Sequence, residues 1–143
     1  TKLKLPLRSK SIFKNNIEEL YQLGAASIHP KNLFKNFKEV LVEIKKLDDI
    51  KISNKIGFIK IDVEGHELEV IEGAKKTIIN NMPVLLIEIE ERHTKKSVDE
   101  SINYIKNIGY ECFFIKNKEL ISIDKLNNKQ FENNYYFLPK NFK

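Results

Sequence analysis

The chain has 143 residues, which is enough for one domain with a substantial core and too few for two ordinary domains. Hydrophobic residues make up 41% of the chain and charged residues 31%, a composition that excludes a disordered tail, a fibrous repeat and a membrane protein. The formal net charge is +5, yet residues 61–100 hold ten acidic and five basic residues, so the basic surplus lies in the flanks.

The first part of the chain shows short strand patterns separated by loops and turns. Alternating apolar and polar residues indicate half-buried strands, and Pro6 inside such a pattern suggests a sheet edge. Glycine after a helical pattern marks its end, as Gly24 does here. In chain order the patterns predict a strand over 3–7, a helix over 15–23, a loop over 25–38, a strand over 39–44 and a turn over 47–50.

From residue 56 onward, strand and helix patterns alternate. A nearly continuous apolar run predicts a strand covered on both faces, and apolar residues at helical spacing predict helices between such strands. Ser97 with Glu100 three residues later predicts a capping box. The predicted elements are a strand at 56–63, a helix at 67–80, a strand at 84–90, a helix from 97 to 109, a strand at 111–116, a hairpin partner at 120–123 and a last strand at 135–138. This order predicts an α/β domain with a parallel sheet and an antiparallel addition at its end.

Acidic residues collect where the two buried strands of this region end. Asp62 and Glu64 close the first strand, and Glu88 and Glu90 close the second. Ligands of open α/β sheets bind beyond the carboxyl ends of the strands, and neighbouring strands lie about 4.8 Å apart. We therefore expect Asp62 and Glu88 to approach each other and a common ligand. Such carboxylates can accept hydrogen bonds, stabilise a cation, hold a metal ion or act as a general base.

Histidine, cysteine and glycine residues provide weaker indications of a functional site than these carboxylates. His66 and His93 flank the acidic segments and are candidate proton acceptors at neutral pH. The three histidines do not form a zinc motif, and Cys112 lies inside a predicted strand, so we expect no structural zinc site and assign no metal ligand among the site residues. The five glycines do not form the spacing of a dinucleotide-binding or phosphate-binding loop.

Several sequence features together resemble FkbM-type methyltransferases, which use S-adenosylmethionine. The most specific one is residues 59–74, IKIDVEGHELEVIEGA, which resembles the signature segment of that family. Further features that fit are Ala26-Ser27, Leu47-Asp48-Asp49, Pro83, Leu86-Ile87-Glu88, Gly109-Tyr110 and residues 134–139, NYYFLP.

The resemblance implies a Rossmann-like methyltransferase sheet of strand order 3-2-1-4-5-7-6 with an antiparallel strand 7. The strands near Asp62, Glu88, Cys112 and Tyr136 would be strands 4, 5, 6 and 7. The glycine-rich loop that follows strand 1 in the family, and the acidic residue after strand 2, are not found in this sequence. We therefore expect residues 1–143 to be one incomplete methyltransferase domain lacking strands 1–3, with an upstream region at 1–55 and strands 4 to 7 within 56–143.

The function that the resemblance implies is transfer of a methyl group from S-adenosylmethionine to a hydroxyl of a sugar or small metabolite. Asp62 would border both cofactor and acceptor, Glu64 and Glu88 would orient the acceptor or a metal, and His66 or His93 would be the base. One alternative is a non-catalytic, truncated module that associates with itself or a partner, because strand 4 would become an exposed edge and favour a homodimer. A second alternative, a metal-dependent hydrolase built on the same carboxylates, is disfavoured by the missing ligand spacing.

Partners and compartment follow from composition. Of the 25 basic residues, 23 are lysines, and no arginine-rich stripe with interleaved aromatics indicates a nucleic-acid site. No apolar run approaches the length of a membrane span, and no signal-peptide pattern opens the sequence. With a single cysteine, no internal disulfide can form. We expect a cytoplasmic protein whose partner is a small-molecule or glycan acceptor.

Overall fold

The structure is a computed structural model that describes residues 1–6, 37–63, 65–90, 97–125 and 133–142. The helix predicted at 15–23 and nearly all of the loop predicted at 25–38 lie outside these ranges. Two compact units are present, Thr1–Ile44 and Lys45–Lys143. None of the helices within the described ranges is long and apolar enough to cross a membrane.

The first unit contains a two-stranded antiparallel sheet. Strand β1 (Lys2–Pro6) pairs with strand β2 (Phe37–Leu41) along its whole length. An ion pair of 2.7 Å between Lys2 Nζ and Glu39 Oε2 links the two strands. The strand predicted at 3–7 is confirmed. The strand predicted at 39–44 instead ends at Leu41, because Leu41 pairs with Lys2, where β1 begins.

The second unit is built on a five-stranded mixed sheet. Its strands are β3 (Phe58–Ile61), β4 (Val84–Glu88), β5 (Tyr110–Lys116), β6 (Glu119–Ser122) and β7 (Asn134–Pro139). Their spatial order is β3-β4-β7-β5-β6, and only the β3–β4 pairing is parallel. A mostly parallel sheet is therefore not confirmed. β7 lies between β4 and β5 and is antiparallel to both, so β4 and β5 run in the same direction but do not pair with each other.

Within the described part of this unit there are three α-helices: α1 (Glu67–Gly73), α2 (Lys75–Asn81) and α3 (Val98–Asn107). The single helix predicted at 67–80 is broken at Ala74, whose backbone leaves the helical region. The break exposes backbone N–H groups at the start of α2, and the Asp48 carboxylate accepts from Lys76 and Thr77 there, at 2.9 Å each. A residue distant in sequence thus caps α2, which local periodicity cannot reveal.

Helix α3 begins and ends as the sequence predicts. Ser97 Oγ accepts from the Glu100 N–H at 3.2 Å, and the Glu100 carboxylate accepts from the Ser97 N–H at 3.0 Å, so the capping box is present. Gly109 follows the helix with a φ of +107°, a conformation that glycine adopts without strain.

One hydrophobic core lies between the sheet and its helices. Alternate residues of three neighbouring strands point into it, among them Ile87 of β4, Cys112 of β5 and Phe137 of β7. The helices contribute buried residues such as Ile71, Ile78 and Ile105. β3 is an edge strand of this sheet, and Phe58 is 54% exposed, so the prediction of burial on both faces is wrong for this strand.

Candidate functional site

The ends of β3 and β4 bring Asp62 and Glu88 together. The two strands run parallel, with Ile61 opposite Ile87. The residues that follow these two, Asp62 and Glu88, therefore lie side by side. Ile61 and Ile87 are buried in the core, and since side chains alternate along a strand, the two carboxyl groups leave on the opposite face. The predicted juxtaposition is confirmed, and it follows from the parallel register alone.

Lys60 completes this cluster, and sequence reasoning missed it. Its Nζ lies 2.8 Å from Asp62 Oδ2. The Lys60 side chain is 55% exposed and that of Asp62 43%, so both remain in contact with solvent. The signal was present in the sequence, because residues two apart on a strand share a face.

The environment separates the proton affinities of the two carboxyl groups. The hydrogen bond from Lys60 lowers the pKa of Asp62. Burial raises the pKa of Glu88, and the negative charges of Asp62 and Glu90 raise it further. The hydrogen bond between Glu88 and Asp62 lowers the pKa of Asp62 and raises that of Glu88. Asp62 is therefore the ionised acceptor of the pair, and Glu88 retains its proton to higher pH.

Two more polar residues extend the cluster along the sheet edge. Asn133 Nδ2 donates to Glu90 Oε1 at 2.8 Å, and the Asn133 carbonyl accepts from the Ile89 N–H at the same distance. Glu90 is thus half-buried and bound. Asn133 could not be found by pattern. It reaches this edge only because β7 is antiparallel, which places the start of β7 beside the end of β4.

The segment that follows β3 is held by a buried carboxylate. Glu67 is almost fully buried and accepts from the Gly65 N–H at 2.8 Å. Gly65 has a φ of +93°, which side chains other than glycine rarely adopt. Nδ1 of His66, a predicted base, lies 4.0 Å from Glu69 Oε1. The described contacts thus place His66 against its own helix and not against Asp62 or Glu88.

Two of the predicted site residues, Glu64 and His93, lie outside the described residues, and their roles stay predictions. Within the described ranges no cluster of three or more His, Cys, Asp or Glu side chains is arranged to hold a metal ion. Cys112 is buried, and burial raises its pKa to about 12. Its thiol therefore stays protonated at neutral pH, and Cys112 is not a nucleophile.

An open cleft of about 530 Å³ lies elsewhere on this unit. It is lined by the segment at 50–56 and by α2 residues such as Thr77 and Asn81. The cleft adjoins the stretch that leads into β3, whereas Asp62 and Glu88 stand where β3 and β4 end. Ligands of α/β sheets bind at the carboxyl ends of strands, so we place the candidate site at the carboxylates and not in the cleft.

Comparison with known proteins identifies the family of the chain. A protein-family model, the methyltransferase FkbM domain, matches residues 8–112. The matched range includes β3, α1, α2, β4 and α3 and ends within β5, so the resemblance noted for residues 134–139 lies beyond it. No curated protein and no solved structure matches the chain. Since the family model covers most of the 143 residues, the chain belongs to the FkbM methyltransferase domain family.

Proposed function

We propose that the chain supplies the acceptor side of an S-adenosylmethionine-dependent methyl-transfer site, and that the acceptor is a hydroxyl of a sugar or small metabolite. Family membership supports methyl transfer in general. The observation that carries the finer proposal is the pairing of Asp62 and Glu88 at the carboxyl edge of the sheet, with Lys60 bound to Asp62. A Rossmann-like sheet is part of the proposal. The observed order β3-β4-β7-β5 supports it, because the resemblance implies the order 4-5-7-6 for these segments.

The described residues fit one end of this cofactor. Its methionine end carries an ammonium and a sulfonium cation, and an ionised carboxylate such as Asp62 is a suitable neighbour for such cations. Its adenosine end requires close backbone approach, and the described residues include no glycine-rich turn for it. The fit therefore covers the reacting end of the cofactor and the acceptor.

When bound, S-adenosylmethionine supplies a methyl group whose bonding electrons stay with sulfur while an acceptor oxygen lone pair forms the new carbon–oxygen bond. Methyl transfer of this kind depends chiefly on positioning. In our proposal Asp62 accepts a hydrogen bond from the acceptor hydroxyl, orients its lone pair and takes its proton. Glu88 donates to Asp62 or to the acceptor and fixes their relative position. His66 and His93 remain alternative candidate bases, and Glu64 remains a candidate for orienting the acceptor.

Calorimetry with S-adenosylmethionine and a methyl-transfer assay over a panel of sugars and small alcohols test the proposal. We expect Asp62→Asn to reduce turnover by about 10²–10⁴-fold, the range of a lost general base. Asp49→Asn is the matched control, because Asp49 is an exposed aspartate outside the site. Equal turnover of Asp62→Asn and the control would overturn the role of Asp62. No cofactor binding together with a dimer in light scattering would instead favour a non-catalytic associating module.

A further inference from the structure

Among the described residues, the carboxylate cluster consists of Asp62, Glu88 and Glu90, with Lys60 as the cation beside Asp62. The negative charges of Asp62 and Glu90 both act on Glu88, and the Lys60 ammonium contacts Asp62. Like charges this close cannot all be ionised without cost, so the cluster favours retention of a proton. Which carboxyl group holds that proton depends on where the positive charge lies.

The geometry of β3 answers this question. Lys60 and Asp62 are two residues apart on the same face of an edge strand, and their side chains meet at 2.8 Å. Glu90, in turn, receives a neutral hydrogen bond from Asn133. Glu88, the last residue of β4, lies beside Asp62 and two residues before Glu90, and the charges of both act on it. The cation therefore compensates Asp62 directly and Glu88 only at longer range.

We infer that Lys60 is a positioning residue, which keeps Asp62 ionised and oriented toward the acceptor and leaves the shared proton on Glu88. The inference rests on the proposed function for its catalytic meaning, but the division of charge is a property of the chain by itself. The hydrogen bond with Asp62 also raises the pKa of Lys60, so the ammonium persists over the whole range in which the carboxyl groups titrate.

The test is a ¹³C NMR titration of the side-chain carboxyl carbons of Asp62 and Glu88 in the 143-residue chain. We expect Asp62 in the wild type to titrate below Glu88. In Lys60→Met the proton-binding constant of Asp62 should rise by about tenfold. This is the lower end of the effect of a neighbouring cation, and we expect it because Lys60 and Asp62 are both partly exposed. Lys60→Arg should restore the wild-type order. Lys60→Gln provides a second neutral variant, with the fold of each checked by its amide spectrum.

Lys106→Met is the matched control. It removes an ion pair of comparable length, 2.7 Å to Asp124 Oδ1, at a distance from the cluster along the chain, and should leave both titrations unchanged. Identical Asp62 titrations in the wild type, Lys60→Met and Lys60→Gln would overturn the inference, as would a wild type in which Asp62 titrates above Glu88. This readout does not involve methyl transfer, so it succeeds or fails independently of the cofactor-binding experiment.

Discussion

Removal of the Asp48 carboxylate should destabilise the second unit by releasing the start of α2. Asp48 lies in the short turn Leu47–Asp49 and accepts from two backbone N–H groups, those of Lys76 and Thr77. These donors have no partner within their own helix, because the first turn of every helix leaves its N–H groups unpaired. The contact also joins segments 28 and 29 residues apart, so its loss frees the turn as well as the helix.

The magnitude follows from two contributions. Loss of a capping side chain costs about 1 kcal/mol, and loss of a negative charge at a helix start costs about 0.5 kcal/mol when the group is partly exposed. We expect Asp48→Ala to lower the free energy of unfolding by about 1.5 kcal/mol, or the melting temperature by about 5 °C for a chain of this size. Asp48→Asn retains one acceptor oxygen and should lose about half as much.

The pH dependence provides a second, independent check. Burial alone would raise the pKa of Asp48, but the hydrogen bonds from the Lys76 and Thr77 N–H groups outweigh it, and the net pKa is lowered. A lowered acid pKa contributes stability that is present above the unfolded-state pKa and is lost as the pH falls through the folded-state pKa. The difference between wild type and Asp48→Asn should therefore shrink as the pH is lowered from 7 to 2.

Thermal and urea denaturation followed by circular dichroism at 222 nm measure these differences. Asp49→Ala serves as the control, because Asp49 is the exposed residue next to Asp48. The hydrogen bond from its backbone N–H to the Lys46 carbonyl is retained when the side chain becomes alanine. The reasoning is refuted if Asp48→Ala and Asp49→Ala unfold alike at pH 7, or if the effect of Asp48→Asn is constant down to pH 2.

Three further predictions concern single residues. Glu88→Gln should stabilise the fold by about 0.5 kcal/mol at pH 8 and leave it unchanged at pH 4, because a raised acid pKa contributes stability at low pH that is lost as the pH rises through that pKa. Thermal denaturation at both pH values measures this, and a lower stability of Glu88→Gln at pH 8 would contradict it. Glu67→Ala should lower the free energy of unfolding, measured by urea denaturation, by about 1–3 kcal/mol, because it leaves the Gly65 N–H without its acceptor. Glu67→Gln keeps an acceptor oxygen and should cost clearly less, and equal losses in the two variants would show that the hydrogen bond is not important. Gly109→Ala should lower the free energy of unfolding by about 1–2 kcal/mol because of the positive φ at this residue. Gly57→Ala, where an added Cβ meets no atom within 4 Å, should be close to neutral, and a lower melting temperature for Gly57→Ala than for Gly109→Ala would contradict the argument.

The elements of the second unit were largely predictable because each has a local cause. The capping box of Ser97 and Glu100 fixes the start of α3, and Gly109 follows its end. Asn117 and Lys118 both take positive φ in the turn between β5 and β6, as a two-residue hairpin requires. The break between α1 and α2 was not predictable, because apolar spacing continues through Ala74 and its capping partner Asp48 lies far away in sequence.

The sequence by itself determined that Asp62 and Glu88 close two neighbouring strands and that the chain carries the signature segment of an FkbM methyltransferase, because strand periodicity and motif are properties of consecutive residues. Only the tertiary structure decided that the sheet is mixed and that Asn133 reaches the carboxylate edge, since β7 enters between β4 and β5 from the far end of the chain. It also decided how charge divides within the pair. The pKa of Glu88 depends on its burial and on the charge of Asp62 on the neighbouring strand, and no sequence pattern encodes these.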